Sequence, residues 1–123
     1  MKKLLLTSLL LCTLMACKNQ NPFLSEQNTP YGVPAFDKVK IEHYMPAFEA
    51  AIAQNKAEIA AIVSNPAEPT FDNTIVALDR SGLLLEQVSG VFFNVLEADG
   101  NEEMNRIAEE VTPMLSNLSD GIL

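Results

Sequence analysis

The chain has 123 residues, of which 48% are hydrophobic and 20% are charged, and its formal net charge at neutral pH is −8. This length suits one domain or a piece of a larger one, and the apolar fraction is typical of a packed helical protein rather than a disordered one. An acidic chain without a cluster of Lys or Arg repels nucleic acid, so no nucleic-acid partner is expected.

The first 16 residues have the organisation of an export signal. Two lysines precede an apolar run over residues 4–15, which is too short to span a bilayer because a spanning helix needs about 20 apolar residues. The run closes with the sequence LMAC, which resembles a bacterial lipobox, where a small residue precedes the lipid-bearing cysteine. We predict a lipoprotein signal peptide over residues 1–16 and lipidation of Cys17. The alternatives are an ordinary signal peptide or an uncleaved anchor.

Residues 17–34 are predicted to be a flexible tether between the membrane and the folded body. They are rich in Asn, Gln, Ser and Pro, which break regular structure and bury little apolar surface.

The only cysteines are Cys12 and Cys17, so the mature chain can form neither a disulfide framework nor a thiolate metal site. We expect the protein in the cell envelope, anchored to a bacterial membrane and facing the periplasm or the exterior.

The first predicted helix begins near residues 44–46 and ends before Pro66, which disfavours helical geometry in the preceding residue. Apolar side chains recur along it at helical spacing and form one stripe: Phe48, Ile52, Ile59, Ile62 and Val63. Asn55 interrupts the stripe. We place it at the edge of the stripe, with a buried, hydrogen-bonding position as the alternative.

Residues 69–98 are predicted to form one long helix around which the rest of the chain is organised. Thr70 is a good N-cap, and Asp72 places negative charge where the helix dipole favours it. Two neighbouring apolar lines follow: Leu78, Leu85, Phe92 and Leu96, and Leu84, Val88, Val91 and Val95. Gly82 and Gly90 each cost about 1 kcal/mol relative to Ala inside a helix. We therefore expect another backbone to pack closely at both glycines.

A third helix is predicted to open at Glu102, after a turn at residues 99–101. Its apolar residues again keep helical spacing: Met104, Ile107, Ala108, Val111, Leu115 and Leu118. Pro113 is predicted to kink or break this helix. The predicted fold class is therefore all-α, with long antiparallel helices. The sequence stops on apolar residues without a polar tail, which we interpret as an interruption of a longer chain.

The sequence contains no complete catalytic or metal-binding constellation. The only histidine is His43, preceded by Glu42. One imidazole does not build a zinc site of ordinary strength with nearby carboxylates, so we predict a surface or helix-start role for it. Two further candidates are the adjacent pairs Glu102–Glu103 and Glu109–Glu110. The two side chains of each pair point about 100° apart on a helix, so they do not converge on one substrate atom. We interpret them as a solvated face.

Two segments of the chain resemble one known family. They are residues 36–48, which include the sequence HYMPAF, and PTFDNTI at residues 69–75, followed by Ser81-Gly82. In their order and spacing they resemble the start of the thimet oligopeptidase and peptidyl-dipeptidase (dipeptidyl carboxypeptidase) family of zinc metallopeptidases. The resemblance covers about residues 22–120.

The resemblance implies an almost wholly helical enzyme with two lobes around a deep channel. Zinc in that family is held by a His-Glu-x-x-His helix and a further Glu, and short peptides are cleaved near one end. This chain contains none of those ligands, so no catalytic or metal residue carries over and the chain alone should be inactive. Residues 35–123 are expected to be an N-terminal helical region forming a wall or lid of the channel, with zinc bound elsewhere in the full-length enzyme. The competing hypothesis is a free-standing helical envelope lipoprotein that acts as a binding or assembly module.

Overall fold

The computed structural model describes residues 21–25 and 29–122. All regular structure in these residues is helical, which confirms the predicted all-α class. Three long helices form the body: α1 (Ile41–Val63), α2 (Leu83–Asp99) and α3 (Glu102–Asp120). Across the described part of the chain, none of the helices combines the length and apolar character needed to cross a membrane. The predicted leader and the lipidation site at Cys17 lie outside the described residues.

Helix α1 is the element against which the others pack, because both α2 and α3 contact it. The prediction that residues 69–98 organise the chain is therefore wrong.

Helix α1 begins at Ile41, earlier than predicted, because the Nδ1 atom of His43 accepts a hydrogen bond from the Lys40 backbone N–H at 3.0 Å. It ends at Val63, as Pro66 predicts.

Residues 69–98 do not form one helix. The structure divides them into a short helical segment over residues 71–79 and the separate helix α2. The predicted N-cap at Thr70 is confirmed. Its hydroxyl accepts a hydrogen bond from the Asn73 backbone N–H at 3.1 Å, and the Asn73 side chain accepts one from the Thr70 N–H at 2.7 Å. The break comes at Gly82, which has a φ of 76°. Side chains rarely tolerate this left-handed conformation, so glycine suits the position.

The core lies between the three long helices. Phe48 of α1 and Phe92 of α2 are fully buried and meet edge to face, with ring centroids 5.4 Å apart, an arrangement that aromatic pairs favour. Further towards the end of α1, Asn55 lies against Gly82 at the start of α2. Because later residues of α1 meet earlier residues of α2, these two helices are antiparallel, as predicted.

Helix α3 begins at Glu102 as predicted, and the Asn101 side chain caps it by accepting a hydrogen bond from the Met104 N–H at 3.0 Å. It then continues through Pro113 without a break. Val111 and Leu118 are buried, in keeping with the predicted apolar stripe.

One aromatic residue of the predicted tether belongs to the core. Phe23 is buried, and its ring lies 5.7 Å from that of Tyr44 in α1. The Asn21 side chain donates a hydrogen bond to the His43 carbonyl oxygen at 2.7 Å. These contacts hold the short turn Pro22–Leu24 against α1. Tyr31, by contrast, is fully exposed.

Candidate functional site

His43 occupies a helix-start position, as the sequence predicts. Its Nδ1 atom is engaged by the Lys40 backbone N–H, and its Nε2 atom lies 4.0 Å from a carboxylate oxygen of Glu42. Across residues 21–25 and 29–122, no three His, Cys, Asp or Glu side chains come together in a way that could hold a metal ion. These residues therefore do not fit the zinc site of the resembled family.

The carboxylates of α3 form a solvated face, which confirms their interpretation from the sequence. Glu102, Glu103, Glu109 and Glu110 are all exposed. Glu102 accepts a hydrogen bond from the Arg106 guanidinium at 2.7 Å, one turn along the helix. Exposed pairs of this kind stabilise a helix by only a few tenths of a kcal/mol. The Glu102–Arg106 pair therefore contributes only to the stability of α3.

A polar cluster joins α1 to the start of α2. Oε2 of Glu58 accepts a hydrogen bond from the Gly82 backbone N–H at 2.7 Å, and its Oε1 accepts one from the Gln54 side chain at 2.8 Å. The bond from Gly82, followed by that from Gln54, lowers the pKa of the Glu58 carboxyl below its ordinary value. The cluster thus supplies negative charge at the beginning of α2, where the helix dipole favours it.

Asn55 completes this cluster, and its predicted place at the edge of the stripe is wrong. It is the one buried polar residue among those described, and its side chain hydrogen-bonds Glu58. The sequence did contain a signal for this contact. Asn55 interrupts the apolar stripe of α1, Gly82 interrupts the helix predicted for residues 69–98, and the two irregularities face each other in the structure.

A second feature is an apolar surface on the outer side of segment 71–79 and the first residue of α2. We call the exposed side chains of Phe71, Ile75, Leu78 and Leu83 the outer apolar surface. Their exposed fractions are 71%, 52%, 47% and 59%. Leu78 was predicted to continue the line of α2 residues facing the core. It faces outward because the chain turns at Gly82 before α2 begins.

A groove of about 350 Å³ lies between the C-terminal ends of α1 and α3. The residues that line it are mainly apolar or small: Lys56, Ile59, Ala60, Val63, Asn117, Leu118, Gly121 and Ile122. Among the described residues that line it, Lys56 carries the one charged side chain, so the chemistry of the groove suits an apolar contact.

Comparisons with known proteins identify relatives of this helical body. No family model matches the chain. It is 45% identical over 102 residues to the dipeptidyl carboxypeptidase of Escherichia coli (strain K12) and 44% identical over 102 residues to that of Salmonella typhimurium. It is also 25% identical over 99 residues to oligopeptidase A of Salmonella typhimurium. The first two matches each cover 83% of this chain, and the third covers 80%.

These relatives are peptidases, and they confirm the resemblance seen in the sequence. Over the matched residues the chain is similar to members of the peptidyl-dipeptidase and thimet oligopeptidase family. More particularly, its strongest similarity among these three is to the dipeptidyl carboxypeptidases. The chain spans only 15% of the length of each of those two relatives and 14% of oligopeptidase A.

Proposed function

We propose that this chain is a helical segment of a lipid-anchored zinc peptidyl-dipeptidase that cleaves short peptides near one end. The observation that carries the proposal is the 45% identity over 102 residues to a dipeptidyl carboxypeptidase. Because the chain spans 15% of that relative, the zinc ligands and the catalytic residues belong to polypeptide beyond this segment. The anchor is the lipidated Cys17, and the substrates are peptides from the breakdown of exported proteins.

The role of this segment in the enzyme is structural. Helices α1, α2 and α3 form a wall or lid of the channel in a two-lobed helical body. Two features of the segment support this role. Its buried aromatic cluster around Phe92 gives it a defined shape, and its outer apolar surface leaves a face for further packing.

A segment exchange tests the proposal. Residues 21–122 of this chain replace the matching stretch of the Escherichia coli dipeptidyl carboxypeptidase, and release of dipeptides from short peptides is measured. We expect kcat/KM within about tenfold of the parent enzyme, which corresponds to a loss of no more than about 1.4 kcal/mol in transition-state stabilisation. A chimera that is inactive or does not fold contradicts the proposal and leaves the free-standing lipoprotein as the better hypothesis.

A matched pair of variants in α1 shows whether the activity depends on this segment being folded. Ala51 is buried, whereas Ala53, two residues later, is exposed. An unpaired charge is costly to bury but not to expose. The Ala51→Asp chimera should therefore lose activity, and the Ala53→Asp chimera should keep it. If both variants keep the activity of the parent chimera, the enzyme does not need this segment to be folded.

A further inference from the structure

We infer that the outer apolar surface, formed by Phe71, Ile75, Leu78 and Leu83, is the docking surface on which the remaining polypeptide of the peptidase packs. This inference rests on the proposed function and deepens it by naming the face that joins the segment to the rest of the enzyme. The occupant is an apolar, helical face of the same enzyme's polypeptide outside this segment.

The first observation is the direction in which segment 71–79 turns its side chains. Phe71, Ile75 and Leu78 follow one another by four and three residues along the segment, whose first six residues, Phe71–Val76, form a π-helix. They are exposed, whereas Thr74, Val76 and Ala77 between them are partly buried. The largest apolar side chains of the segment therefore face away from the core. Exposed apolar side chains gathered on one short segment mark an interaction site more often than scattered single residues do.

The second observation is that local polar contacts order both ends of the segment and that one contact ties its end to α1. At its start, the Asn73 side chain donates a hydrogen bond to the Glu68 carbonyl oxygen at 2.9 Å. At its end, the Ser81 hydroxyl donates one to the Leu78 carbonyl oxygen at 2.7 Å, and Glu58 holds Gly82. A surface that is fixed before binding loses less entropy when a partner docks.

The length of the relatives identifies the occupant. The chain spans 15% of the dipeptidyl carboxypeptidases that it matches, so most of the proposed enzyme lies outside the segment. A second copy fits less well, because two chains that each carry a net charge of −8 repel one another. A bilayer also fits less well. Asp72 and Asp79 are exposed in the same segment, and their negative charge opposes contact with anionic lipid.

Thiol accessibility tests the inference with little disturbance of packing. Ile75→Cys reports on the outer apolar surface, and Val33→Cys is the control because the two side chains are about equally exposed, at 52% and 49%. Each variant is prepared in the isolated chain and in the chimera with the Escherichia coli enzyme. The rate of reaction with a thiol reagent is measured after subtracting the reaction of the corresponding parent.

In the isolated chain both thiols should react at similar rates. In the chimera we expect the Ile75→Cys thiol to react at least about tenfold more slowly than the Val33→Cys control. The reason is that a covered side chain reacts only when the interface opens. An active chimera in which the two thiols still react alike overturns the inference and leaves the proposed function standing. An inactive chimera counts against the proposed function itself.

A measurement on the isolated chain covers the case in which the chimera does not fold. Light scattering compares the parent chain with a Phe71→Asp/Ile75→Asp variant. A parent that stays monomeric while binding an apolar fluorescent dye, with dye binding lowered in the variant, supports an open docking surface. A stable dimer that the variant dissolves overturns the inference, because the occupant is then a second copy. Dye binding that the variant leaves unchanged also overturns it.

Discussion

Glu58 of α1 accepts a hydrogen bond from the backbone N–H of Gly82, 24 residues later in the chain, at 2.7 Å. The first N–H groups of a helix have no partner within the helix and need one from outside. Glu58 supplies that partner just before α2 begins, and it supplies a negative charge there as well. One side chain thus links α1 to the residue at which segment 71–79 gives way to α2.

Glu58→Gln should lower the free energy of unfolding by about 1 kcal/mol or less at pH 7, because the hydrogen bond loses its charge and solvent screens what remains. The folded-state pKa of Glu58 is lowered. Its stabilisation is therefore fully present above the ordinary, unfolded pKa of 4.5 and is lost as the pH falls through the lower folded value. Denaturation at pH 7 and near pH 3 should show a difference between parent and variant that shrinks in acid. Glu49→Gln, at an exposed position in α1, is the control, and an equal difference at both pH values would refute the role given to Glu58.

Gly82→Ala and Gly90→Ala should change stability in opposite directions. A methyl group at Gly82 would lie 2.6 Å from Nδ2 of Asn55, in a backbone with a φ of 76°. The left-handed conformation alone costs a non-glycine residue roughly 1–2 kcal/mol. At Gly90 no atom of the described residues lies within 4 Å of the added methyl group, so the better helix propensity should stabilise the chain by roughly 0.5–1 kcal/mol. Thermal unfolding followed by circular dichroism measures both, and two shifts of the same sign would contradict the structure.

Phe92→Ala should unfold the isolated chain or leave it loosely packed. Phe92 is fully buried and meets Tyr44, Phe48 and Phe93. Truncating such a residue costs about 3–5 kcal/mol, against a total stability of about 5–15 kcal/mol for a domain. The exposed Phe71→Ala variant should melt like the parent. If circular dichroism shows a cooperative melt for Phe92→Ala at the parent temperature, the assigned core is wrong.

Cys17 should carry lipid and should be the first residue of the mature protein. Growth with a labelled fatty acid should label the parent and the Cys12→Ser variant, but not Cys17→Ser. One acyl chain anchors a protein only marginally, and stable attachment takes more than one signal, a requirement that a multiply acylated cysteine meets. Label that persists in Cys17→Ser rules the anchor out.

Local chemical signals in the sequence predicted three helix boundaries. Pro66 marks the end of α1, and Thr70 and Glu102 mark the starts of helical segments, because each acts through neighbouring backbone atoms. Periodicity did not reveal the break at Gly82. Leu78 and Leu85 are seven residues apart, which is two turns of a continuous helix, although a left-handed residue lies between them. Backbone handedness leaves no trace in the spacing of apolar residues.

Features set by distant partners were the least predictable. The burial of Asn55 depends on Gly82 and Glu58 coming together in the folded chain. The burial of Phe23 depends on Tyr44, and a single aromatic residue in a Pro- and Asn-rich stretch has no periodicity to indicate a core position. Gly90 was expected to admit a close neighbour, yet no described residue comes within 4 Å of the position that its Cβ would take. The family, in contrast, could be inferred because motif order and spacing are visible in the sequence itself.

The nucleotide sequence after the codon for Leu123 tests the central claim most directly. We propose that the chain is a segment of a longer peptidase. It matches two dipeptidyl carboxypeptidases over 15% of their length. An open reading frame that continues in phase and reaches a His-Glu-x-x-His motif is the predicted result. A stop codon directly after Leu123, in a gene that yields a stable, envelope-bound protein of this length, would contradict the proposal.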